Sequence, residues 1–251
     1  MTEQILSGVP QGTPAVNIEP AGLRLLNHAD DNLVLAQRLG EWISNAAELE
    51  LDIALANIAL DHLGVARALY THAGEIEGEG RAEDDFAMLR TEREFTNLLL
   101  VEQPNGDFAH TIVRQVFFDL YQRALWADLA DDDTTLAGIA ARAAKENAYH
   151  CEVSGNWLVR LGDGTDESHR RTQTAVDDLW KFTAEMFEGS ASAYGEGWMV
   201  SVEDLFVDAK LEIPDDPYQK TGGRVGFHTE HLGFLLAEMQ SMQRSYPGMR
   251  W

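Results

Sequence analysis

Apart from Pro104, no proline interrupts the chain between Pro20 and Pro214. Proline removes a backbone donor and its ring clashes with the preceding turn. Long proline-free tracts rich in Ala, Leu, Glu and Arg therefore favour helix. Helices of such length must bury their apolar stripes against one another, so the expected class is all-α, a helical bundle with extra peripheral helices.

The pattern divides into elements. A first helix is expected over about 21–45, with Leu25, Leu33, Leu35, Leu39 and Trp42 as its apolar face, and a second over about 47–73. The second is apolar almost all round between Leu51 and Leu69, which predicts a place in the middle of the bundle. A short helix near "TEREFTNLLLVEQ" stops at the turn signal "PNGD". A third long helix fits 107–129, and "DDDTT" can cap a fourth that runs to about 161. "HRRTQTAVDDLWKFTAEMFE" gives a fifth, "GSASAYGEG" a loop, and "DLFVDAKLEIPDDP" either helix or loop. A last helix fits 231–246. The organisation expected is a flexible lead-in over residues 1–20 and a single helical domain over 21–251.

With 42 acidic against 19 basic side chains, the formal net charge is −23. Such a field repels phosphate backbones and anionic lipid surfaces, which argues against nucleic-acid and membrane partners. No stretch approaches the ~20 consecutive apolar residues of a membrane span, and no basic start followed by an apolar run marks a secretory signal. A single cysteine, Cys151, excludes an intrachain disulfide. A cytoplasmic location is expected.

Several polar residues fall where the pattern expects apolar ones. Asp61 interrupts the apolar second helix, and Asn57, Asp61 and Gly64 share a face. Glu41, Asp119 and Glu146 are the other carboxylates expected to point inward. Di-iron bundles take one carboxylate from each of two helices and a Glu-x-x-His pair from each of the other two. In chain order this sequence offers Glu41, Asp61 with Gly64, Asp119, and Glu146 with Tyr149. Four carboxylates have candidates, but both histidine positions hold other residues. His150 is one position late, about 100° around the helix, and His62 is also out of phase with that motif. Glu41, Asp61, Asp119 and Glu146 are thus vestigial ligand-like positions, and no metal, cofactor or catalytic residue is expected. His228, Glu230 and His231 form a second metal-like group for which helix capping is an adequate explanation. Cys151 beside His150 suggests a nucleophile pair, but helical neighbours diverge, so packing is expected.

"LDIALANIALDHLG", "REFTNLLLVEQPNGDFAHTIVRQ", "LGDGTDESHRRTQTAVDDLWKFTAEMF" and "KTGGRVGFHTEHLGFLLAEMQ" together resemble the C subunits of bacterial phenylacetyl-CoA epoxidases, from about Asn32 to Trp251. The segment between Glu188 and Pro217 departs most from that pattern. The resemblance implies a ferritin-like helical bundle. It also implies a non-catalytic structural subunit of a multicomponent oxygenase in aerobic phenylacetate catabolism. In that family the di-iron centre and the CoA thioester belong to a paralogous catalytic A subunit, which the C subunit pairs with and supports. A flavin and iron–sulfur reductase supplies electrons. The implied partners are the A subunit, other epoxidase components and further copies of the chain. A metal-binding oxygenase active on its own is the alternative. Candidate contact surfaces are the aromatic third helix (Phe117, Phe118, Tyr121, Trp126) and the last helix with Phe234 and Met239.

Overall fold

The computed structural model describes residues 20–130, 134–215 and 218–249. The expected lead-in over 1–20 lies outside them, except that Pro20 opens the first helix. Among the described residues there are ten α-helices and no strand. The chain is an all-α, ferritin-like bundle. Four long helices form it: α1 (Pro20–Gly40), α2 (Leu49–Glu77), α5 (Phe108–Leu129) and α6 (Thr134–Gly162). Between the two pairs lie the short α3 (Glu83–Met88) and α4 (Leu99–Glu102). The segment after α6 contributes α7 (Asp166–Trp180), α8 (Gly195–Ala209), α9 (Glu230–Met239) and α10 (Ser241–Ser245).

Local chemistry sets the boundaries. The Asp107 side chain accepts from the His110 N–H and caps α5, and Thr165 caps α7 in the same way through Ser168. α2 passes through Gly74 and stops at Gly78, whose φ of 72° places it in the left-handed region that ends helices. Gly74 is needed for another reason: a Cβ there would lie 2.4 Å from the Arg81 carbonyl oxygen. The sequence expectation differs most at the edges. α1 ends at Gly40, several residues early, and "GSASAYGEG" is a 3-10 turn leading into α8, whose helix continues through the ambiguous stretch to Ala209.

The buried apolar side chains form one continuous core. Its centre is α5, not α2. Ile53 and Leu60 of α2 are 53% and 63% exposed, whereas Phe117, Phe118, Tyr121 and Trp126 of α5 are at most 2% exposed. Those four aromatics are therefore core residues and not a contact surface, which corrects the expectation. Phe117 packs against Trp180, Trp198 and Phe206, fixing α7 and α8 to the outside of α5. The Trp198 indole N–H is satisfied by the Phe117 carbonyl at 2.9 Å. Met239 is half-buried against the core, while Phe234 is 72% exposed and stays available for contacts. Asn32 bonds Gln122 and Trp42 bonds Thr111, so the α1 segment runs antiparallel to α5.

Candidate functional site

A polar layer crosses the bundle at mid-height. α1 supplies Asn32, α2 His62, α5 Gln115 and Asp119, and α6 His150; all five are buried. Gln115 and Asp119 are one turn apart and share a face, as do Glu146 and His150. His62 Nδ1 lies 2.8 Å from Asn32 Oδ1. A carboxamide oxygen only accepts, so that nitrogen carries the proton and Nε2 accepts from Gln115 Nε2 at 3.3 Å. Burial pushes the His62 pKa well below its ordinary value, and the charge of His150 adds to the effect, so the ring is neutral. Gln115 Nε2 also donates to Asp119 Oδ1 at 2.7 Å, and Ser154 Oγ donates to Asp119 Oδ2 at 2.8 Å. Burial raises the Asp119 carboxyl to about 6, with His150 and these two hydrogen bonds opposing the rise.

The sequence-predicted carboxylates are only partly brought together. Asp119 is inside the layer. Asp61 stands at its rim, a third exposed, with His150 Nε2 3.1 Å from its Oδ2. Glu146 is also at the rim, held by Arg142 Nε at 2.8 Å. Glu41 does not join them. Because α1 ends at Gly40, Glu41 sits in the following turn, exposed, bonded to Arg38 at 2.7 Å and to Asn105 at 3.0 Å. Asn32 is the α1 residue of the layer. A second correction concerns α6: Tyr149 is 48% exposed, and His150 is the side chain that points inward. His62 is legible as well. It falls in phase with Leu55, Ile58, Val65 and Leu69, the buried stripe of α2, so a histidine in that rhythm signals the bundle interior.

His62, Asp119 and His150 can each present one donor atom, the three lying within 4.8 Å of one another. Two imidazoles and a carboxylate suit a divalent ion. Here, however, the Gln115 amide contacts both His62 Nε2 and Asp119 Oδ1, so its N–H supplies the positive charge between them. An ion on those two atoms would have to displace Gln115. A dinuclear carboxylate centre further needs four carboxylates around one cavity, and Glu41 is not there.

The other histidine group resolves differently. His228 Nδ1 lies 2.8 Å from Glu102 Oε2, and its Nε2 lies 2.9 Å from the Phe95 carbonyl. Glu102 also takes the Thr229 N–H at 2.6 Å and Asn97 Nδ2 at 3.0 Å. Burial would lower the His228 pKa, but Glu102 outweighs it and the value is raised. Glu102 is the carboxylate the sequence did not disclose, and this group pins the start of α9 to α4. Glu230 is exposed, and His231 uses its carbonyl to accept from Arg38. The Cys151 thiol is pushed up to about 12, chiefly by burial, so it is not a nucleophile.

A family model described as "Phenylacetic acid catabolic protein" matches residues 10–251. The chain belongs to this family. Among its relatives is the C subunit of the 1,2-phenylacetyl-CoA epoxidase of Escherichia coli (strain K12), 48% identical over 241 residues, which cover 90% of this chain and 97% of that protein. As a family member the chain is accordingly similar to a named component of a larger enzyme. None of its described helices is long and apolar enough to cross a membrane.

Proposed function

We propose that this chain is the non-catalytic structural subunit of a cytoplasmic 1,2-phenylacetyl-CoA epoxidase, pairing with a di-iron catalytic A subunit and carrying no iron centre of its own. The observation that carries the reading is the Gln115 amide bonded to both His62 and Asp119, in a layer whose α1 position is Asn32. Oxygen activation at two metals needs a carboxylate cage with open coordination positions. This layer instead closes on itself through amides and imidazoles. The similarity to an epoxidase C subunit supports the same role. Co-expression with the A subunit of the same organism should give one complex that turns over phenylacetyl-CoA with its reductase, with the iron on the A chain. Separate elution of the two chains at micromolar concentration would refute the pairing.

The close approach of His62, Asp119 and His150 donor atoms favours a second reading, a metal-binding oxygenase active alone. Two equivalents of iron on the isolated chain, with turnover in the absence of any partner, would establish it and remove the first.

A further inference from the structure

A groove of about 980 Å³ opens where the α4–α5 loop, the end of α7 and the segment leading into α9 meet. Lys181 and Lys220 line it, two of the four lysines in the chain. Their ammonium groups stand over the same ring, Phe182, at 5.5 and 5.6 Å from its centroid. Neither pairs with a carboxylate among the described residues, although acids outnumber bases by more than two to one in this chain. Lys210 shows the contrast: it is tied to Asp163. Two like charges gathered on one ring repel each other unless an anion joins them.

The walls are built to last. Lys220 N–H bonds the Lys181 carbonyl at 2.7 Å. The buried Glu185 takes the N–H groups of Gly222 and Gly223, and also that of Leu99. Gly223 and Gly226 approach other backbone so closely that a Cβ would sit 2.2 Å from the Asn97 oxygen or 2.4 Å from that of Arg93. An irregular segment fixed this firmly is a preorganised surface. Around its mouth stand exposed aromatics, with Phe227 63% and Phe234 72% accessible, and Arg93 packs over Phe227. Aromatic and arginine side chains around a fixed recess are the composition of a protein interface.

We propose that this groove is the docking surface for a carboxylate-bearing segment of the catalytic A subunit, with Lys181 and Lys220 receiving the carboxylates and Phe227 and Phe234 the flanking apolar side chains. The proposal rests on the pairing reading above and adds where the contact lies. The test measures binding of the co-purified A subunit to the full chain by titration calorimetry at low and high salt. Lys181→Glu with Lys220→Glu should weaken binding by about tenfold or more and remove most of its salt dependence, as expected for charge pairs across an interface. The paired arginine variant should retain binding. Should the double reversal unfold the chain, Lys220→Gln and Phe227→Ala each still predict weakened binding. A double variant that is folded and binds like the wild type overturns the groove while leaving the pairing intact. Phenylacetyl-CoA bound by the isolated chain and lost in the double variant, with pairing unchanged, would make this a small-anion site and overturn it too. Lysine-dependent self-association without an effect on the A subunit would do the same. No binding by the wild type removes the pairing itself, and the groove with it.

Discussion

Asp30, Asp31 and Asn32 are consecutive on α1 and all buried, yet they serve two unlike regions. Asp30 receives Arg90, the Tyr70 hydroxyl at 2.6 Å and the Thr96 N–H at 2.8 Å. Asp31 receives Arg224 at 2.8 and 2.9 Å and the Leu98 N–H at 2.7 Å. Asn32, turned toward the bundle axis, meets only His62, Gln122 and the His28 carbonyl among the described residues. One region handles full charges with arginines; the other is built of amides and imidazoles around a carboxyl that burial makes easy to protonate. The ionic region ties irregular chain, residues 90–98 and 222–224, to the first helix. The neutral layer holds helix to helix where related architectures place metal. Burial alone thus says little about function. What matters is whether the buried group is neutralised by a cation of the protein or by hydrogen bonds that leave no room for one.

The contrast is sharpest at Arg90. Arg90→Met leaves Asp30 buried without its cation and should cost about 3–5 kcal/mol in urea unfolding, the usual result of breaking half a buried ion pair. Adding Asp30→Leu should recover much of that loss, because the hydrophobic pair leaves no orphaned charge. A single variant as stable as the wild type would erase the distinction between the two regions. At the rim of the neutral layer the stakes are lower. Asp61→Leu removes the hydrogen-bond partner of the buried His150 Nε2, and should cost about 1–2 kcal/mol. Thermal melts of the purified variant check this, and a stabilised variant would show that Asp61 contributes nothing to the position of His150.

The helical class and the extents of α5 and α6 are legible in the sequence, because proline-free apolar periodicity is a local property of the chain. The layer is half legible. Asp119 and Glu146 stand out as acids among apolar neighbours, whereas Asn32, His62 and Gln115 match no carboxylate motif. Glu41 is misplaced when α1 is extended beyond Gly40, which moves the inward face to the wrong turn. Tyr149 takes the place of His150 only when a borrowed spacing is imposed on α6; its own buried residues Ala143, Asn147, His150 and Ser154 give the correct phase. The ionic region is invisible in the sequence, since Asp30 with Arg90 and Asp31 with Arg224 join residues 60 and 193 positions apart. Only the packed chain brings them together.

Asp119 offers the finest discrimination between the two regions, through pH. Its carboxyl titrates near 6 in the folded chain against an ordinary value of 3.8. A raised carboxyl stabilises the fold while protonated, so its contribution is complete below about pH 3.8 and is lost as pH rises through about 6. His62 acts in the opposite sense. Its value is lowered, so its contribution holds above its ordinary 6.5 and falls away in acid. The stability of the wild type alone therefore mixes the two. Asp119→Asn isolates the carboxyl, keeping an acceptor and the shape while removing the titration. From pH 5 to pH 8 the difference between variant and wild type should move in favour of the variant by about 1 kcal/mol, measured by urea unfolding at each pH. A difference independent of pH would mean that Asp119 is held as a charge, and the layer would then belong with the ionic region after all. The same titration in the presence of zinc or ferrous iron separates the remaining possibility: metal-dependent stabilisation of the wild type, absent from the variant, would mean that Gln115 yields its place to an ion.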